Sequence, residues 1–138
     1  NVDYLVVGGY AVIYHARPRF TKDLDRWVKP CPLNARRLME AFHHFGIPLI
    51  DIQQTDFERT GTQYQIGRPP VAVDFLTSLG DLDFDECFER RETDEDDGIS
   101  IPYLGREALI RAKRFAGRPE DLADIRNLEM LDDESNET

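Results

Sequence analysis

Three aspartates and a pair of glycines carry the clearest chemical signal in the chain. Asp23 and Asp25 stand on either side of Leu24, in a stretch from Asp23 to Val28 that reads as a β-strand bounded by Pro30 and Pro32. Alternation on a strand sends both carboxylates to one face, about 7 Å apart along the chain. Such a pair suits Mg²⁺, which takes one or two carboxylates and fills its shell with water and substrate phosphate oxygens. Asp74 interrupts an otherwise apolar run, V-A-V-D-F-L from Val71 to Leu76. A buried strand rarely carries a charge without a partner, so Asp74 either completes a two-metal arrangement with Asp23 and Asp25 or sits in a structural ion pair. Gly8 and Gly9 end a further apolar run. They let the backbone approach a phosphate closely, with the N–H groups of the following turn forming an anion-binding concavity. Thirteen residues, Tyr10 to Lys22, separate the glycines from the first aspartate. Each signal is weak alone, and the order in which they occur gives them meaning.

The elements that would position these residues follow from periodicity and punctuation. The run from Asp3 to Gly9 reads as a buried strand leading into a tight turn, with a short helix over Tyr10 to His15 and a breaker at Ala16-Arg17-Pro18-Arg19. Leu38, Ala41, Phe42 and Phe45 share one face of a helix over Leu33 to Phe45, which Gly46 stops. Residues 47–70 are ambiguous, with a short strand at Gln63 to Ile66 and a break at Pro69-Pro70. Val71 to Leu76 is a strand, Asp83 to Arg91 a helix, Thr93 to Gly98 an acidic turn, and Ile99 to Ile101 a short strand. Two helices, Arg106 to Ala116 and Pro119 to Leu131, flank Gly117. The expected fold class is α/β: a small twisted mixed β-sheet backed by helices, with two C-terminal helices alongside. Residues 1–131 form one domain, and the acidic tail 132–138 is expected to be disordered. The chain opens at Asn1 without a methionine, two residues before the first strand, which suggests a trimmed N-terminus.

Composition narrows the function class. The 138 residues, 41% of them hydrophobic, suffice for one core. No apolar run reaches a membrane span of roughly 20 residues, and the N-terminus lacks the pattern of a signal peptide, which points to a cytoplasmic protein. Cys31 and Cys87, the only cysteines, lack metal or disulfide spacing and read as free thiols. The net charge of −10 argues against general nucleic-acid binding. It is unevenly spread: residues 1–50 hold seven Lys/Arg against four Asp/Glu, and residues 51–138 hold ten against 23. Arg17, Arg19, Lys22, Arg26 and Lys29 surround the Asp-x-Asp pair, where they would attract a polyphosphate or a short stretch of RNA, or else serve as ordinary solvated charge.

On the last helix, a projection at about 100° per residue puts Leu122, Ile125, Leu128 and Leu131 on one half, with Asp121 and Asp124 inside that half and Glu129 near its edge. Lys113 lies between Leu109 and Ile110 on the preceding helix. Charges on apolar faces ask for partners. A Lys113–Asp121 or Arg118–Asp124 bridge between the helices is one answer, and a ligand is the other. His15, His43 and His44 lack metal spacing, and Trp27 and Phe75 read as core residues.

Gly8-Gly9, Asp23-Leu24-Asp25 and Asp74 resemble, in order and context, the DNA polymerase beta-type nucleotidyltransferase superfamily. Leu109-Ile110-Arg111-Ala112-Lys113 and Arg118-Pro119-Glu120-Asp121-Leu122-Ala123-Asp124-Ile125 resemble the lysine and R-x-K-D-l-x-D-l motifs of minimal bacterial nucleotidyltransferases, AbiEii-type toxins of toxin–antitoxin systems among them. The likeness spans Tyr4 to Leu131. It departs at Tyr10, where the family often has Ser or Thr, and at Arg26, where it has a hydrophobic residue. The resemblance implies transfer of a nucleoside monophosphate from an NTP to RNA, protein or a small molecule, with pyrophosphate release. Asp23, Asp25 and Asp74 would be the catalytic and metal residues, holding two Mg²⁺. Gly8, Gly9, Tyr10, Lys113, Arg118, Asp121 and Asp124 would bind nucleotide, Lys113 on the triphosphate and Asp124 near the base or acceptor. A cognate protein partner is part of that expectation. Two competing readings are a catalytically silent nucleotide-sensing or protein-binding partner of a two-component system, and a metal-dependent phosphohydrolase.

Overall fold

The computed structural model describes residues 1–16, 23–68 and 71–136. Its centre is one six-stranded mixed sheet in the order β3-β4-β2-β1-β6-β5. The elements in chain order are β1 (Tyr4–Val7), α1 (Gly8–His15), β2 (Asp23–Val28), α2 (Pro32–His44), a 3-10 turn (Gln54–Glu58), β3 (Gln63–Arg68), β4 (Val71–Leu76), α3 (Phe84–Glu89), β5 (Glu92–Asp96), β6 (Ile99–Tyr103), α4 (Arg106–Ala116) and α5 (Pro119–Asn136). β2 runs parallel to β4 and antiparallel to β1, while β6 runs parallel to β1.

The alternation of side chains across each strand divides the core in two. On one face Leu5, Val7 and Trp27 pack with α1, α3, α4 and α5 through Val12, Phe84, Leu109 and Leu128. On the other, Val28 and Phe75 pack against α2 and the 3-10 turn through Leu38, Phe42 and Phe57. The Phe42 ring meets that of Phe75 edge-on at 5.1 Å, and Trp27 meets Phe84 in the same way at 5.2 Å. Trp27 and Phe75 are therefore core residues on opposite faces. Asn34 ties α2 to the start of β1 and the end of β2: its amide oxygen accepts from the Asp3 N–H at 2.8 Å, and its amide nitrogen donates to the Asp3 and Lys29 carbonyls at 3.0 Å.

Three expectations are revised. The glycines after β1 form the first turn of α1 itself, because Gly8, at φ +67°, turns the chain directly from strand to helix. The acidic segment after α3 is a strand, β5, paired antiparallel to β6 across a turn at Asp97-Gly98, where both residues have positive φ. An Asp-Gly pair favours such a two-residue hairpin, and acidic side chains are tolerated on an edge strand whose face meets water. Helix α5 runs from Pro119 to Asn136, with neither Gly nor Pro between Asp132 and Asn136. Leu122 is 50% exposed, although Ile125 and Leu128 on the same helix are buried. The buried arc is set by Asp121, Asp124, Ile125 and Leu128, and Leu122 lies about 100° away from Asp121. The breaker at residues 17–19, Lys22 and the Pro69-Pro70 break lie outside the described residues.

The contrast within α5 is testable. Leu128→Ala should cost roughly 2–5 kcal/mol, as a methyl-rich side chain removed from a closed core does. Leu122→Ala should change stability by no more than about 0.5 kcal/mol. Urea unfolding of both variants measures this, and equal losses would contradict the orientation of α5.

Candidate active site

β2 and β4 place Asp25 and Asp74 at the same level of the sheet. They are register partners in adjacent parallel strands, so their side chains leave the same face, roughly 5 Å apart at the backbone. Val7, the last residue of β1, is the register partner of Asp25 on its other side. The chain then turns at Gly8. A Cβ at Gly8 would run into the Asp25 carboxylate, so this approach of backbone to carboxylate requires glycine. Gly9 is buried in the first turn of α1, and Tyr10, next along the helix, is exposed. Asp23 opens β2 two positions before Asp25, and its side chain lies outside the described residues.

The opposite wall comes from the junction of α4 and α5. Gly117, at φ +67°, ends α4 in a left-handed cap whose N–H donates to the Lys113 carbonyl at 2.9 Å. Arg118 and Pro119 then start α5, with proline in the first helical position, where its missing N–H costs nothing. Asp121 is fully buried and gathers the junction. Its carboxylate accepts from the Arg118 backbone N–H at 3.1 Å, Arg118 Nε at 2.8 Å, Arg118 Nη2 at 3.3 Å and Lys113 Nζ at 3.2 Å. Lys113 also pairs with buried Asp124 at 3.1 Å. Burial would raise the Asp121 carboxyl, but hydrogen bonds from Arg118 and Lys113, with the lysine charge, outweigh it and hold it below its ordinary 3.8. The Arg118 guanidinium is pushed up, chiefly by its hydrogen bond and charge pairing with Asp121, with smaller contributions from Glu120 and Asp25.

Gly8, Asp25, Asp74, Lys113, Arg118 and Asp121 thus line one cavity of about 430 Å³. Asp124 is buried behind it on Lys113. The Lys113–Asp121 bridge anticipated from the sequence is present. Of the anticipated basic cluster, Arg17, Arg19 and Lys22 lie outside the described residues. Arg26 leaves the opposite face of β2, its guanidinium 5.1 Å from the Tyr4 ring, and Lys29 pairs with Asp85 at 2.8 Å. His43 and His44 are exposed at the end of α2. The His15 ring is held between the Leu104 carbonyl at 2.7 Å and Glu92 at 3.1 Å. Cys31 and Cys87 are free thiols, and burial pushes that of Cys87 up. Sequence reasoning passed over Gln63, which lines the cavity from β3. Only the antiparallel register of β3 on β4, pairing Gln63 with Leu76, brings it there.

The donor set fits a magnesium ion. Asp25 and Asp74 offer hard carboxylate oxygens at one wall of an open cavity, which matches an ion that keeps several positions for water and phosphate. Among the described residues no three His, Cys, Asp or Glu side chains form a metal-binding group, and the side chain of Asp23, the third expected carboxylate, lies outside them.

This architecture is the nucleotidyltransferase fold. The chain is similar to the crystal structure of the lincosamide antibiotic adenylyltransferase LnuA bound to lincomycin, with 14% identity and a TM-score of 0.55 over 93% of this chain and 86% of that one. It is similar also to a putative nucleotidyltransferase from Thermotoga maritima, with 16% identity and a TM-score of 0.58 over 100% and 84% of the two chains. A third likeness is to an antigenic nucleotidyltransferase-like protein from Paracoccidioides brasiliensis, with 20% identity and a TM-score of 0.52 over 93% and 66%. No family model matches the sequence, and no curated protein matches it. Among the described residues no helix is long and apolar enough to cross a membrane.

Two outcomes are expected of this geometry. Gly8→Ala should lose roughly 1–3 kcal/mol from positive φ, with a further loss from the clash with Asp25. Gly46→Ala, at φ +68° with open space around it, carries the backbone cost alone. The difference between the two unfolding free energies reads the Asp25 contact, and equal values would exclude it. Asp121, with its carboxyl depressed in the folded protein, contributes stability that is complete above its unfolded value of 3.8 and lost as pH falls through the lower folded value. Calorimetric melting from about pH 7 to pH 3 should therefore fall more steeply at the acid end for wild type than for Asp121→Asn, which should start lower at neutral pH.

Proposed function

We propose that the protein is a magnesium-dependent nucleotidyltransferase that moves a nucleoside monophosphate from an NTP to an acceptor hydroxyl, releasing pyrophosphate. The observation that carries the proposal is the register pairing of Asp25 with Asp74 beside the bare backbone of Gly8, on the wall of a cavity whose far side holds the cations of the α4–α5 junction. The fold likeness to nucleotidyltransferases supports it.

In this reading Asp23, Asp25 and Asp74 hold two Mg²⁺, which when bound would lower the pKa of the acceptor hydroxyl and neutralise phosphate charge. The Asp74 carboxylate takes the acceptor proton. The acceptor oxygen forms a bond to the α-phosphorus, and the bond from that phosphorus to the bridging oxygen breaks, its electron pair leaving with pyrophosphate. Gly8 and the first N–H groups of α1 receive phosphate oxygens that a side chain at Gly8 would exclude. The helix walls exclude water and fix the substrate, so the protein's contribution is positioning and electrostatics. The resemblance of the Lys113 and Arg118-to-Ile125 segments to toxin nucleotidyltransferases supports a place in a toxin–antitoxin pair, with the cognate protein as partner. The lincomycin-bound neighbour supports a small-molecule acceptor.

Incubation with each labelled NTP, Mg²⁺ and cell extract should transfer label to one class of acceptor and release pyrophosphate. Release of inorganic phosphate instead would indicate a phosphohydrolase, and binding without turnover a silent sensor. Asp25→Asn should keep the fold, by circular dichroism, yet lose activity by roughly a hundredfold or more. Wild type should also gain thermal stability from Mg²⁺ and NTP added together, and the variant much less. Equal stabilisation with retained transfer would remove Asp25 from the metal site.

A further inference from the structure

The hairpin of β5 and β6 stands out from the rest of the sheet. Among the described residues its register pairing with β1 is the single pair of Tyr103 with Val6, beside a hydrogen bond in which the Leu104 N–H donates to the Val6 carbonyl at 3.0 Å. Alternation puts Ile99, Ile101 and Tyr103 on one face of the hairpin, with Glu92 opposite Tyr103 and Asp94 opposite Ile101. The Tyr103 ring stacks on that of Tyr14 from α1 at 4.2 Å, so this is the face that helices α1, α3, α4 and α5 cover over the rest of the sheet. That cover stops short of the hairpin. Ile99 is 64% exposed and Tyr14 38%, and neither Ile99 nor Ile101 joins either of the two cores among the described residues. The stripe from Ile99 to Tyr103 is about 13 Å long. Exposed Glu92 and Asp94 border it on the β5 side, close enough to Tyr14 that burial and their two charges push its phenol up.

We propose that this face of the hairpin docks a helix of a partner protein, apolar along the side it buries and carrying Lys and Arg where it passes β5. Covering the isoleucines takes an element laid across the face. A strand added to the free edge of β5 would pair in the plane of the sheet and leave Ile99 and Ile101 bare. The carboxylates set the sign of the partner, because complementary charge steers encounter and like charge rejects wrong partners. The same carboxylates repel nucleic acid and anionic membrane surfaces. A second copy of a chain whose formal charge is −10 would bring further negative charge to them. No residue of this face lines the cavity of Asp25 and Asp74, so the docking surface stands apart from the nucleotidyltransferase reading.

The probe is a synthetic helix-forming peptide with leucine at i, i+3, i+4 and i+7 and lysine on the flanks, titrated into the isotope-labelled full chain at fixed salt and followed by amide NMR shifts. The shifts should saturate and concentrate at Ile99, Ile101, Tyr103, Glu92 and Asp94. Ile99→Ser should weaken binding about tenfold, the loss expected for an isoleucine side chain no longer buried. Asp94→Asn should weaken it about twofold to fivefold, as an exposed ion pair does, and this exposed substitution keeps the test open if Ile99→Ser disturbs the hairpin. Glu95→Gln removes the same charge from the opposite face of β5 and should leave binding unchanged. A peptide with glutamate in place of each lysine should not bind. Absence of saturable binding, shifts spread over the acidic surface, or equal binding of the glutamate peptide would overturn the proposal. So would sedimentation of wild type as a dimer that Ile99→Ser returns to a monomer, since a second copy would then be the occupant.

Discussion

Two carboxylates standing side by side in the middle of a sheet are the constraint around which the molecule is arranged. Asp25 and Asp74 occupy the same register position of adjacent parallel strands, where like charges repel unless a cation is brought between or near them. The packing does not allow the strands to relieve this by slipping. Two residues further on, Trp27 and Leu76 are also register partners, and Trp27 is locked into the α1–α3–α4–α5 side of the core. A one-residue slip would carry Asp25 onto the face where Phe42, Phe57 and Phe75 pack, and Trp27 with it. The apolar residues of β2 thus enforce the position of its charged ones. Gly8 completes the arrangement by leaving open the space that any side chain would contest with the Asp25 carboxylate.

The second organising feature is Asp121, a fully buried charge that makes the two C-terminal helices into one unit. It accepts from the backbone N–H and the guanidinium of Arg118, the residue just before α5, and from an ammonium of α4. Gly117 allows the short turn, and Arg106 reaches across to the Leu128 carbonyl at 2.9 Å at the other end of the pair. Since Leu109 and Leu128 from the same helices enter the core beneath Trp27 and Phe84, the position of the cationic wall is tied to the packing that also holds the carboxylates. The two walls of the cavity are therefore set by one core.

Much of this was legible where local chemistry decides the outcome. The bounds of β2, β4 and α4 follow from Pro30, the apolar run around Asp74, and Gly117, because chain breakers and continuous burial act on single elements. β5 was not legible, since an edge strand with an exposed acidic face carries no apolar alternation, and only the Asp97-Gly98 turn and pairing with β6 define it. Leu122 was misplaced because a helical projection treats every apolar residue as inward, while α4 covers only the arc that the Asp121 and Asp124 pairs select. The approach of Gln63 to the site depended on strand pairing, and the unequal commitments of Lys113 and Arg118 on side-chain geometry. Motif order points to the right neighbourhood of the fold, but distribution of charge within it is a property of three-dimensional packing.

That distribution constrains what can enter. Among the described residues that line the cavity, Asp25, Asp74 and Asp121 carry negative charge, and Lys113 and Arg118 carry positive charge. Lys113 is further balanced by Asp124 from behind, so the described wall as a whole is net negative, in a chain whose formal charge is −10. A bare polyphosphate entering such a cavity meets repulsion at the carboxylate wall that a single exposed guanidinium does not offset. In the proposed function, a polyphosphate that arrives with a divalent cation would reverse the sign of that encounter, because the carboxylates would then attract the metal. In that reading, the acidic character that disfavours nonspecific nucleic-acid binding would favour, at this one place, a phosphate group already carrying its metal.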